Sequence, residues 1–157
     1  MKNWLMRWHE LKRKHPKGVL YTISALLPMT IMLVVWYFMG SYPFGNKSLM
    51  AVDFGQQYIS FFGLLKNAVL SGDLSSLTYS FTKSLGGDMI GILGYYLMSP
   101  FNIIYIVLPF KYYGLAVVLT IWLRYGAIGI SFAHLLIKRF KGAESKIWMV
   151  PLFATAY

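Results

Sequence analysis

Carboxylates are scarce in this chain: Asp and Glu number 5 among 157 residues, against 15 Lys and Arg. Three of the five, Asp53, Asp73 and Asp88, fall in one stretch between two long apolar runs. Asp53 opens the segment "DFGQQYISFF" and has two readings. It caps the helix that follows, with Gln56 at the spacing of a capping box. Alternatively it is a general base for an acceptor hydroxyl, or an oxygen ligand for a divalent cation. Asp88, after Gly86 and Gly87, is a turn residue or a candidate second acid, and Asp73 reads as a helix-end residue. Arg124 stands in the apolar run "LTIWLRYGAIG". A charge at mid-membrane costs about 2.5–3.5 kcal/mol on insertion scales, so it must face a protein interior or a wet cavity. There it either pairs structurally or binds a lipid phosphate with its planar guanidinium. His134, further along the same run, reads as an interhelical hydrogen-bond partner. With no Cys and 3 scattered His, zinc and thiol chemistry have no footing. "GGDMIGILG" lacks the Lys and the strand context of a phosphate loop.

The elements that hold these residues are membrane elements. Apolar types make up 57% of the chain and charged types 13%, about half the ~25% usual in soluble domains. The net charge of +10 could signal nucleic acid, but the basic residues cluster at the ends of apolar runs, which is the membrane pattern. Residues 1–18 form a basic leader. Val19 to Met39 is then free of charge for 21 residues, enough to cross a ~30 Å hydrocarbon layer. A cleavable signal would be shorter and would end in small residues, whereas this run ends in "WYFMGSYPFG". It is read as a retained span, kinked at Pro28, with Trp36, Tyr37, Phe38 and Tyr42 in an aromatic belt. The basic leader keeps the N-terminus cytoplasmic and sends residues 40–114 to the outer face.

Residues 89–110 are uncharged and long enough to cross, but a crossing there would leave Lys138, Arg139 and Lys141 outside. Pro100 and Pro109 instead break the run into interfacial or re-entrant helices. Residues 115–137 then cross inward, and 138–146 form a cytoplasmic loop. Residues 147–157 look like the start of a third span, so the chain reads as the amino-terminal part of something longer. Within the outer loop, residues 57–70 have apolar positions at helical spacing and are expected to lie along the membrane, ending at Gly72. The Ser-, Thr- and Gly-rich segment after it reads as loop. The expected fold is therefore all-α integral membrane: two complete transmembrane helices, an outer loop with interfacial helices, and a third span begun.

Three stretches carry a likeness. "YPFGNKSLMAVDFGQQYISFF", "YSFTKSLGGDMIGILGYYLMSPFN" and the Leu108–Pro109 pair resemble the amino-terminal region of the YfhO family of bacterial membrane proteins. That family is similar to the GT-C class of membrane glycosyltransferases, which move a sugar from a polyprenyl-phosphate carrier on the outer face. The resemblance implies a multi-pass protein of the bacterial cell membrane that glycosylates a cell-wall polymer such as lipoteichoic acid. By position, Asp53 falls where the catalytic acid would be and Asp88 where a second acid is sometimes found. Gln56, Gln57 and Tyr58 would position the reacting groups, and Lys83 and Ser84 would line the cleft. Arg124, or Mg²⁺ or Mn²⁺ held in part by Asp53, would stabilise the leaving phosphate. The implied partners are the lipid-linked sugar, the polymer acceptor and membrane lipid, with no nucleic acid. Two other classes share these features: a transporter or flippase-like protein that moves a lipid-linked precursor, and an accessory subunit without chemistry.

Overall fold

In a computed structural model, the structure describes residues 16–51, 53–81, 86–140, 142 and 149–156. The leader before residue 16, the positions Lys83 and Ser84, and most of the 138–146 loop lie outside the described residues. Among the described residues two helices are long and apolar enough to cross a membrane, Lys17–Met39 and Phe110–Arg139. With little strand present, the protein is an all-α membrane protein. Helix α1 is Pro16–Met39 and α2 is Ile59–Ser71; α2 is entered through a π turn, Phe54–Tyr58. A 3-10 turn, Leu74–Leu77, leads to a two-residue antiparallel pair, β1 (Tyr79–Ser80) with β2 (Gly87–Asp88), in register Tyr79 to Asp88. Short α3 (Ile90–Ile92) passes into a second π turn, Leu93–Leu97, and 3-10 residues Pro100–Asn102 lead to α4 (Ile103–Val107). A further 3-10 turn, Phe110–Tyr112, starts α5 (Tyr113–Arg139), and α6 is Met149–Ala156.

The chain divides into two compact units. The first comprises residues 1–35 and 122–157. Here α1 passes unbroken through Pro28, whose missing N–H leaves the Ser24 carbonyl without its usual helical donor. Gly129 of α5 lies on that carbonyl: a Cβ at 129 would collide with the Ser24 oxygen and sit 3.1 Å from the Pro28 ring. Close approach brings the Gly129 Cα hydrogens to an oxygen that needs partners, a weak but recurrent helix–helix contact. The same face continues through Ala133, packed with Leu20, Val150 and Ala154. Trp122 donates its indole N–H to the Met29 carbonyl at 3.1 Å. Tyr21 Oη and His134 Nδ1 are 2.8 Å apart, the interhelical bond expected of that histidine.

The second unit, residues 36–121, is built on α2. Phe62, Leu65 and Ala68 of α2 bury against Leu77, Leu97, Tyr105, Tyr113, Ala116 and Val117. The Phe62 and Tyr105 rings stack at 3.9 Å and 10°. At its end α2 stops where the sequence indicates, on Gly72 with φ +76°, a conformation that spares only glycine strain. The uncharged run from 90 to 107 is not straight: its halves, Ile90–Leu97 and Pro100–Val107, meet at 88°. Pro100 cannot donate, so the bend strands carbonyls in apolar surroundings. Asn102, 1% exposed, answers them, donating from Nδ2 to the Tyr96 and Leu97 carbonyls at 2.8 and 3.1 Å. The second break, at Leu108–Pro109, is served by Lys66 of α2. Its ammonium donates to the Leu108 carbonyl at 2.5 Å and lies 5.4 Å from the Phe110 ring centre.

Replacing Asn102 with Leu keeps the volume but strands two buried carbonyls, each worth about 1–3 kcal/mol. Thermal unfolding of the protein in detergent should show the loss, and Asn102→Gln should recover part of it. An Asn102→Leu midpoint equal to wild type would remove the clamp from the account. Gly129→Val, which drives a branched side chain into Ser24 and Pro28, should destabilise by about 1–3 kcal/mol in the same assay.

Candidate functional site

Asp53 does not cap the helix beside it. Its backbone is already helical (φ −57°, ψ −33°), and its side chain accepts no capping hydrogen bond. An N-cap needs an extended backbone to turn its carboxylate back on the first N–H groups, so helical dihedrals at 53 rule the cap and the Gln56 capping box out. The capping acid is Asp73 instead: its carboxylate accepts from the Ser75 backbone N–H at 3.1 Å and the Ser75 hydroxyl at 2.5 Å. Those two bonds hold its pKa below the usual carboxylate value. Asp88 pairs in the β-ladder and accepts the Ile90 N–H at 2.9 Å, the geometry of the turn reading.

The segment that Asp53 opens contributes to an aromatic cluster assembled by the two π turns. In each turn a backbone N–H reaches back five residues, from Ile59 to Phe54 and from Met98 to Leu93. Such turns carry one residue more than an α-turn and re-aim the side chains around them. The first presents Tyr58, stacked on Phe54 at 5.2 Å and 12°. From the second come Tyr95 and Tyr96, edge to face at 4.5 Å. The two turns meet where Tyr58 and Tyr96 pack edge to face at 4.6 Å, with Phe61 at 5.7 Å from Tyr96.

The Tyr58 phenol titrates above its ordinary value of 10.0, first because of its hydrogen bond with Tyr96, then through desolvation, Tyr96 and Tyr95, with the Asp53 charge a further cause. The neutral phenol is thus the form the fold favours. Its contribution to stability is present below the unfolded value of 10.0 and is lost as pH rises through the raised folded value. Gln56 and Gln57 are exposed on the same turn, and Tyr95 is 80% exposed. One carboxylate, two amides, paired phenols and an open ring face can accept a proton from a hydroxyl and pack the C–H faces of a sugar.

The turn brings together Asp53, Gln56, Gln57 and Tyr58. Asp88 stands in the second unit's β-pair, and half-buried Arg124 belongs to the first unit. Among the described residues no three His, Cys, Asp or Glu gather. Asp53 offers Mg²⁺ or Mn²⁺ one carboxylate, and the rest of the shell would have to come from substrate and water, so the donor set does not fit a resident metal. Among the described residues, Asp53 lines neither of two concavities of the second unit: one of about 490 Å³ beside Ser60, Asn67 and Ser80, and one of about 410 Å³ beside Ser48, Met50 and Lys111. Sequence reasoning missed Tyr95, Tyr96, Lys66 and Asn102. The last carried a usable signal, being a lone amide in an uncharged run.

Asp53→Asn removes a negative charge beside Tyr58 and should lower that phenol's titration midpoint. Tyr96→Phe removes the larger cause and should lower it further. Ultraviolet difference titration of the protein in detergent, with Tyr58→Phe as the blank, reads both shifts; a midpoint unmoved in both variants would mean the groups are apart.

Comparison with protein families matches residues 24–157 to YfhO, described as bacterial membrane protein YfhO. No curated protein and no solved structure matches the chain. The match takes in most of the first membrane-length helix, all of the second and the whole unit that carries Asp53. The chain belongs to the YfhO family of bacterial membrane proteins.

Proposed function

We propose that the protein serves as a membrane glycosyltransferase, moving a sugar from a polyprenyl-phosphate carrier to a cell-wall polymer such as lipoteichoic acid on the outer face. The observation that carries this reading is the release of Asp53 from capping duty, with its charge acting on Tyr58, the ring that meets Tyr96. A carboxylate needed only for structure would be spent on the helix it precedes, as Asp73 is. In this reading the acceptor sugar lies against the tyrosine faces, with Gln56 and Gln57 bonding its hydroxyls. Its reacting oxygen attacks the anomeric carbon, the bond from that carbon to the carrier phosphate breaks, and the proton passes to Asp53. The carrier leaves as a phosphate monoester whose charge needs a cation nearby. The N-terminus is cytoplasmic, which puts residues 40–114 outside, because Lys17 stands at the start of the first membrane-length helix and Lys138 and Arg139 at the end of the second.

Asp53→Asn should reduce transfer by at least about a hundredfold, the lower end of what a general base contributes, with membrane insertion unchanged. Transfer at the wild-type rate would end the catalytic assignment. Presenting the lipid-linked donor already on the outer side separates transfer from lipid movement: a protein that only moves lipid yields no glycosylated polymer there. Since the chain holds 0 Cys, Gln57→Cys creates a unique thiol for topology. A membrane-impermeant maleimide should label it in intact cells, and labelling only after lysis would place the site on the wrong side.

A further inference from the structure

The carrier's phosphate has to be received somewhere, and the 410 Å³ cleft has the chemistry to receive it. One wall is the loop after α1, including Asn46, Ser48 and Met50; the other is the start of the Phe110–Arg139 helix, including Lys111, Gly114, Leu115 and Val118. Its volume is within the range of small-ligand sites, about 300–1,000 Å³. The polar and apolar linings are sorted. Lys111, Asn46 and Ser48 are exposed, and the Lys111 ammonium is held 4.7 Å from the Tyr112 ring centre. Among the described residues no carboxylate forms a salt bridge with it. Lys111, Leu115 and Val118 are four and three residues apart on one helix, so they share a face, and that face turns from charged to apolar toward the middle of the span. A ligand with its anion at Lys111 would run its apolar part along Leu115 and Val118 into the bilayer.

We propose that this cleft binds the phosphate headgroup of a lipid, with Lys111 as its cation and the Leu115–Val118 face receiving the first part of the chain. The proposal rests on the glycosyltransferase reading for the identity of the lipid, a polyprenyl phosphate. It joins the cleft to the reacting acid through one short segment. Met50 lines the cleft, and the π turn carrying Asp53 rests on Met50: a Cβ on Gly55 would fall 2.6 Å from the Met50 carbonyl oxygen. Asp53 is three positions on from Met50, a reach of at most about 11 Å, which is the scale of a sugar between its phosphate and a base. Lys111 rather than Arg124 is then the cation that meets the leaving phosphate.

The test is saturable binding of a radiolabelled long-chain polyprenyl monophosphate to the full chain in nanodiscs. Competitors are the unphosphorylated polyprenol and inorganic phosphate. Wild type should bind the lipid phosphate, and neither competitor at equal concentration should displace it. Lys111→Ala should weaken binding about tenfold, the low end for a charge-assisted hydrogen bond, and Lys111→Arg should restore most of it. Gly114→Trp should block binding with helicity and monodispersity intact, because the space beside Gly114 is open, with Met50 Cε 3.9 Å from where its Cβ would be. Wild-type binding by Lys111→Ala overturns the proposal. So does equal competition by polyprenol, which makes the cleft merely apolar, or by inorganic phosphate, which makes it a free-anion site. Loss of binding in Arg124→Ala with Lys111→Ala unaffected assigns the phosphate to Arg124 instead. Asp53→Asn keeps the two readings apart. If it transfers normally while binding still depends on Lys111, the catalytic assignment falls and the cleft stands. If it loses transfer while Lys111→Ala binds normally, the reverse holds.

Discussion

Carbonyl groups freed inside apolar surroundings must be given donors, and the second unit is organised by that requirement. A straight helix satisfies its own backbone, and lipid offers no substitute when the helix is broken. The run from 90 to 107 is bent by 88°, and Leu108–Pro109 breaks it again. Asn102 and Lys66 are the two polar side chains, 1% and 8% exposed, that answer the freed carbonyls. Asn102 donates to the carbonyl of Tyr96 itself, so the clamp that permits the bend also holds the ring that meets Tyr58. Packing and chemistry are linked through that residue. Phe62 on Tyr105 and Leu65 in the core secure α2, and α2 carries the turn on which Asp53 is placed.

Much of this was legible in the sequence wherever one rule dominated. Scarce charge and two apolar runs of membrane length indicate membrane helices, because hydrophobic length has few other uses at that scale. Gly72 at the end of α2 and His134 as a bridge to Tyr21 follow from local chemistry with little competition. The prolines at 100 and 109 marked the broken run for the same reason.

Less legible was whatever depends on one residue of register. A capping acid and an acid inside the first turn of a π segment have the same neighbours in sequence, and only the backbone dihedrals at 53 tell them apart. The Ser- and Thr-rich stretch read as loop contains a short antiparallel pair, because two-residue ladders leave no alternating pattern to find. Tyr95 and Tyr96 were hidden by their surroundings: among many aromatics near a membrane surface, a pair that faces another turn looks like any interfacial belt. The cleft by Lys111 was hidden for a different reason, since its two walls are some sixty residues apart along the chain.

The paired π turns carry a consequence for how this region tolerates change in length. Each holds one residue more than an α-helical turn would. Deleting any single residue between Phe54 and Tyr58 would let α2 run backward as ordinary α-helix, at little cost to its core. That repair would swing everything before it by about 100° around the helix axis. Asp53 would then change its placement relative to Tyr58 while the protein stayed folded and in the membrane. Alignment gaps at these two turns would therefore mark relatives whose chemistry has shifted, even where Asp53 itself is retained.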